Sequence, residues 1–202
     1  MKSTISTQRK VFTIDGTEAV PSPAVQEGWL RNYYFARAAF AIAWVAVAAT
    51  VAQQSALIGA ALLIIYPAFD ALANLIDGSR SGGYAKNRTQ AVNVAVSAVV
   101  TLGVAMALPD MHHVLAIFGI WAILAGVLQL GTGLRRWKDT GAQWAMILSG
   151  AQSALAGSFF VFQSTQADMP SVATVAGYAG FGAVWFLVSA VSLAIRALRR
   201  KA

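Results

Sequence analysis

The residues with the most chemistry to offer lie in one stretch, Tyr66-Pro67-Ala68-Phe69-Asp70-Ala71-Leu72-Ala73-Asn74-Leu75-Ile76-Asp77. At helical spacing Tyr66, Asp70, Asn74 and Asp77 fall at i, i+4, i+8 and i+11, so one helix face carries a phenol, two carboxylates and an amide. The stretch closes an apolar run that begins near Ala56, which puts a carboxylate inside what reads as a membrane span. A carboxylate at the bilayer centre costs roughly 2.5–3.5 kcal/mol on insertion scales, and less toward the interface. A group kept at that cost needs a partner or a task. The task would be binding a proton, a cation or a small solute, with Tyr66, Asn74 and Asp77 assisting Asp70. The partner would be Arg37, one turn inside the preceding apolar run and at the same depth. Three arrangements fit these residues: a structural Arg37–Asp70 ion pair, a ligand or proton site built on that pair, and an Arg37 that reaches out to the interface instead. Pro67 has no N–H, so the carbonyl near Leu63 loses its bond and the helix can kink beside the acid.

Further polar residues sit inside other apolar runs. Gln90, Asn93, Ser97 and Thr101 are spaced three, four and four apart and share one face; Gln129 and Gln152-Ser153 add more. Such side chains join membrane helices through hydrogen bonds of roughly 0.6–2 kcal/mol each. The sharper alternative is that Asn93, Ser97, Gln129 and Gln152 line a hydrated cavity shared with the Asp70 stripe. His112-His113, beside Asp110 and Met111, could bind a metal weakly or sense acid near the ordinary imidazole value of about 6.5. No second cluster with ligand spacing accompanies them, so they read as loop histidines and no metal site is expected. There is no G-x-S-x-G, H-E-x-x-H, P-loop or dinucleotide fingerprint. The chain has no cysteine, which excludes disulfides, thiolate catalysis and Cys-ligated zinc. No catalytic residue, no cofactor and no enzymatic activity are expected.

The elements that must position these groups are membrane spans. Of the 202 residues 57% are hydrophobic and only 11% charged, against about 25% charged in a soluble domain. Six apolar runs, near Tyr33–Gln53, Ala56–Ile76, Gln90–Leu108, Val114–Leu134, Ala142–Gln163 and Val172–Ile195, each approach the ~20 residues that cross a bilayer. The connections alternate in character. Gln53-Gln54-Ser55, Pro109 to His113 and Ser164 to Ser171 hold no Lys or Arg, whereas all 15 basic residues fall on the other side. By the positive-inside rule both termini face the cytoplasm, as a multi-pass protein of a bacterial inner membrane. The net charge of +7 is therefore written into topology, and no nucleic-acid partner is expected; the partner is the bilayer, and a homo-oligomer is left open. Residues 1–30 read as a polar cytoplasmic tail, 31–198 as the membrane domain and 199–202 as a basic end. Arg135-Arg136-Trp137-Lys138 reads as an interfacial anchor.

Short connections require neighbouring spans to pack as antiparallel hairpins. The even-numbered spans begin near Ala56, Val114 and Val172, a period of about 58 residues, and each ends in a basic segment. The expected architecture is all-α, a six-helix bundle built of three hairpins, N-in and C-in. Repeats of this kind can place a pore or substrate site at their shared axis, and can equally reflect duplication of a stable hairpin. Gly119, Gly126 and Gly133 are spaced by seven, as are Gly150 and Gly157, so spans four and five should pack closely through small residues.

The segment Gly119-Ile120-Trp121-Ala122-Ile123-Leu124-Ala125-Gly126-Val127-Leu128-Gln129-Leu130, followed by Arg135-Arg136, Ile147-Leu148-Ser149-Gly150 and Leu155-Ala156-Gly157, resembles the bacterial HdeD family. These are short-repeat, six-helix inner-membrane proteins, one of which is linked to acid resistance. The resemblance spans about residues 33–198 in topology and 114–160 in motif. It implies the same bundle and a stress-related, non-enzymatic role, and it supplies no catalytic residue. The Tyr66–Asp77 stripe looks like the feature of a subgroup. Two function classes follow: a stress-related membrane protein of the HdeD type, and a small channel or carrier for protons, cations or a small solute built on the helix-two carboxylate.

Overall fold

The computed structural model describes residues 23–80, 83–85, 87–135 and 143–200. Six helices follow one another: α1 Pro23–Ala49, α2 Ala56–Arg80, α3 Arg88–Ala107, α4 Met111–Arg135, α5 Gln143–Gln163 and α6 Val172–Arg199. A short 3-10 turn, Val51–Gln53, follows α1. The fold is an all-α helical bundle. Helices α1, α2, α3, α4 and α6 are long and apolar enough to cross a membrane. The remaining helix, α5, has 21 residues, about 31 Å at 1.5 Å per residue. Leu57, Val99, Leu102, Met106 and Leu155 point outward and are exposed, an apolar exterior suited to lipid. The chain is a membrane-embedded helix bundle.

Two ends of the bundle can be told apart by charge. Arg31, Arg80, Arg88, Arg196 and Arg199 mark the basic end; the connections after α1, α3 and α5 hold Asp110 and Asp168 but no Lys or Arg, and form the acidic end. At the acidic end the exposed backbone is satisfied locally. Thr50 Oγ1 donates to the Ala46 carbonyl (2.7 Å), and Gln53 Nε2 to that of Ala48 (2.8 Å), which closes the end of α1. Asp110 caps α4 by accepting from the backbone N–H groups of His112 (2.9 Å) and His113 (3.2 Å). Those bonds, His113 first, hold the Asp110 carboxyl below its ordinary value. Ser171 and Thr174 form a capping box at the start of α6.

The helices form a ring in sequence order, with α6 returning to α1. The most extensive packing is α4 on α5, then α1 on α6, then α2 on α3, while α1 meets α2 and α5 meets α6 only thinly. Two of the three antiparallel pairs are hairpins of neighbouring helices, and the third joins the two ends of the ring. The expected close approach of spans four and five is present. A Cβ added to Gly126 would lie 2.5 Å from the Gly150 carbonyl oxygen, and one on Gly157 2.5 Å from that of Gly119. Only hydrogen at these positions lets the two backbones touch, and dispersion along that seam holds the pair where lipid removes the hydrophobic drive. By contrast, α1 begins at Pro23, well before the apolar run at Tyr33, because Pro is tolerated in a first helical turn where no N–H is needed. Most of the polar tail, most of the Arg135–Lys138 anchor and the last two residues of the basic end lie outside the described residues.

The core is concentrated toward the acidic end, where Trp44, Leu63, Val104, Leu115, Phe118 and Val175 are buried against one another. The other half of the ring is hollow.

Candidate functional site

Every helix contributes to a cavity of about 900 Å³ on the axis of the ring, in the half nearer the basic end. It reaches the surface at that end, where the lining residues Gln26, Ala85, Arg88 and Thr89 are exposed. Its floor is aromatic. The Tyr66 ring stands 5.1 Å from Trp44, 6.0 Å from Trp121 and 6.5 Å from Phe118, centroid to centroid, which seals the cavity from the core beneath. Pro67 follows Tyr66 inside an unbroken α2. The indole N–H of Trp44 donates to the Leu62 carbonyl (2.8 Å), beside the Leu63 carbonyl that Pro67 leaves without its helical donor.

All nine residues singled out from the sequence line this cavity: Arg37, Tyr66, Asp70, Asn74, Asp77, Asn93, Ser97, Gln129 and Gln152. The helical period of α2 explains the first group. Asp70, Asn74 and Asp77 repeat every three to four residues, and the ring turns that face inward. Arg37 and Asp70 form an ion pair, with the guanidinium Nη2 donating to Oδ1. The other oxygen of Asp70, Oδ2, accepts from Asn74 Nδ2 (2.9 Å) and Ser97 Oγ (2.8 Å). Ser97 in turn accepts from the Trp121 indole (3.2 Å). One carboxylate thus ties α1, α2, α3 and α4 together. Arg37 also donates to the Tyr33 hydroxyl (2.8 Å) and lies 4.3 Å over the Phe186 ring of α6. Nearer the mouth, Asp77 accepts from the Gln90 amide.

The opposite wall is different in kind. The described lining residues from α4, α5 and α6 include no charged group. Trp185 Nε1 donates to Gln152 Oε1 (2.7 Å), and Ser153 shares a hydrogen bond with the Tyr178 hydroxyl (3.0 Å) while donating to the Ala122 carbonyl (3.0 Å). The Gln129 amide, the Ser149 hydroxyl and the Tyr66 hydroxyl make no hydrogen bond to another described residue, although each belongs to the cavity wall. Gly182 leaves room at Tyr66; an added Cβ there would lie 3.5 Å from the phenol oxygen.

Sequence reasoning did not single out Tyr178, Trp185 and Phe186 as wall residues. A signal was present: Tyr178, Gly182, Trp185 and Ser189 fall at i, i+4, i+7 and i+11 and form one face of α6. It is obscured because an aromatic residue in a membrane helix reads the same toward lipid as toward a cavity. His112 and His113 lie in the first turn of α4 at the acidic end. His113 Nδ1 approaches Asp110 at 2.8 Å and His112 Nε2 the Gln166 carbonyl at 3.0 Å. Among the described residues no group of three or more His, Asp or Glu side chains is placed to hold a metal ion.

The arrangement can enclose a small molecule, present it with aromatic faces and neutral hydrogen-bonding groups, and do so beside a carboxylate already saturated by protein donors. Breaking the Arg37–Asp70 pair to receive an outside ion would leave a charge uncompensated, which costs about 3–5 kcal/mol for a fully buried pair. The chain matches no protein-family model, no curated protein and no solved structure.

Proposed function

We propose that this protein binds a small solute inside the membrane and works as a carrier, with its site open on the basic side. The observation that supports this is the cavity of about 900 Å³, open at one end and closed at the other by the Tyr66 floor. Its size falls within the range of small-molecule sites, and it joins aromatic walls to a few convergent polar groups. A polar hollow within a bundle is expensive to leave empty, so water or solute fills it. With the basic end cytoplasmic, as the positive-inside rule places it in a bacterial inner membrane, the state described here faces inward.

A second reading draws on the HdeD resemblance: a stress-related membrane protein without transport, whose polar groups only join helices. The closed Arg37–Asp70 pair favours it. One experiment separates the two. The chain has no cysteine, so single cysteines report access to a membrane-impermeant thiol reagent without background. Asn93→Cys and Ser149→Cys should react from the basic side, while Leu115→Cys and Ala179→Cys in the core should not. A carrier also needs a second state in which Ser149→Cys reacts from the acidic side. If the two cavity cysteines stay unreactive from both sides in folded protein, the solute-binding reading is wrong and the structural one stands.

A further inference from the structure

Resting on that solute-binding reading, we propose that the cavity takes an uncharged organic molecule with a planar apolar face and an amide or hydroxyl group, and rejects ions of either sign. The argument is the asymmetry between its two walls. The charged residues among the described lining are Arg37, Asp70, Asp77 and Arg88, all in the α1–α3 half of the chain. Two positive groups stand with two negative ones. Arg37 and Asp70 neutralise each other, Asp77 is engaged by Gln90 and a further contact, and Arg88 stands at the exposed mouth, where water screens it.

The groups left over for a ligand are neutral. Gln129 on α4, Ser149 on α5 and the Tyr66 hydroxyl on α2 each offer both a donor and an acceptor, and none is engaged by another described residue. Gln152 accepts from Trp185 through its oxygen, which leaves its amide N–H groups available. Around these groups stand the rings of Trp121, Tyr178 and Trp185, flat surfaces on which an apolar face can stack. A charged ligand entering this half would lose its hydration and find no countercharge on the α4–α6 wall, whereas an amide or hydroxyl would exchange water for equivalent protein hydrogen bonds. The one cation over the Phe186 ring is Arg37 itself, so that aromatic surface is already occupied by the protein's own charge.

The test uses three molecules of the same shape and different charge, benzamide, benzamidinium and benzoate, at pH 7, titrated against the full chain in lipid nanodiscs with tryptophan fluorescence as readout. Benzamide should bind saturably and at least tenfold more tightly than either ion. Gln129→Leu should weaken benzamide at least fivefold, and Ser149→Ala serves as the second variant should the first not fold. Equal or tighter binding of benzamidinium or benzoate overturns the proposal. So does the absence of benzamide binding, or benzamide binding that neither variant weakens, in protein whose Ser149→Cys form is reactive from the basic side. Loss of that reactivity would instead remove the solute-binding reading beneath it.

Discussion

Between Tyr66 and the acidic end, the six helices enclose Leu63, Val104, Leu115, Phe118 and Val175, and leave them almost no exposed surface. Between Tyr66 and the basic end, the same helices enclose a cavity of about 900 Å³. The helices are continuous through both halves, so the difference lies in side chains. Where apolar residues face the axis, dispersion holds the ring together, the only large attraction open to apolar helices in lipid. Where polar residues face the axis, directed bonds replace packing. Asp70 reaches Arg37 on α1 and Ser97 on α3, and Gln152 on α5 reaches Trp185 on α6, each bond joining two helices at the cavity wall. Polar glue and cavity lining are therefore not alternatives here. Asp70, Ser97, Gln152 and Trp185 do both, because a hydrogen bond can hold two helices apart at a set distance in a way that close packing cannot.

The sharpest way to break this comparison is to truncate one residue in each half. Phe118→Ala in the packed half should destabilise the bundle by about 3–5 kcal/mol, and Gln129→Ala in the hollow half by no more than about 0.5 kcal/mol. Denaturant unfolding in mixed micelles would read both, and equal losses would mean that the hollow half is packed in solution. Next in size is the ion pair. Arg37→Ala leaves Asp70 without its countercharge; the loss should sit at or below the lower end of the roughly 3–5 kcal/mol range for buried pairs, since 13% and 17% of the two side chains remain exposed. The double change Arg37→Met with Asp70→Asn should recover most of that stability, and failure to recover it would show that the pair does more than cancel charge. The smallest effect sharpens the contrast between seam and surface. Gly126→Ala should cost about 1–3 kcal/mol through overpacking, because its Cβ would meet the Gly150 and Ala154 backbones. Gly177→Ala, with nothing within 4 Å of the added carbon, should be neutral or stabilising under the same assay.

Much of this was legible in the sequence for one reason: in a membrane helix a polar residue is conspicuous. The spacing of Tyr66, Asp70, Asn74 and Asp77 placed them on one face, the depth of Arg37 pointed to Asp70, and seven-residue glycine spacing joined α4 to α5. What stayed hidden had no such contrast. The pairing of α1 with α6 leaves no mark, since helices apolar on every side do not announce which side meets a neighbour. Trp185 and Phe186 stayed hidden among the other aromatic residues of the spans. The void could be read only as one of two alternatives, a hydrated cavity or helix glue, because a sequence records which side chains are present and not the space they fail to fill.

The return of α6 to α1 sets a timetable. Arg200 Nη2 meets Glu27 at 2.8 Å across 173 positions of chain, and Phe186 covers Arg37 from the same helix. At a synthesis rate of about 5–20 residues per second, roughly 7–35 s separate the emergence of these partners. Until α6 is made, Arg37 lacks the Phe186 ring, Glu27 lacks Arg200, and the α1–α3 wall has no α6 face opposite it. A chain that stops short of α6 would carry the lining charges Arg37, Asp70, Asp77 and Arg88 without the Tyr178, Trp185 and Phe186 wall, so the site is complete only once α6 has joined α1.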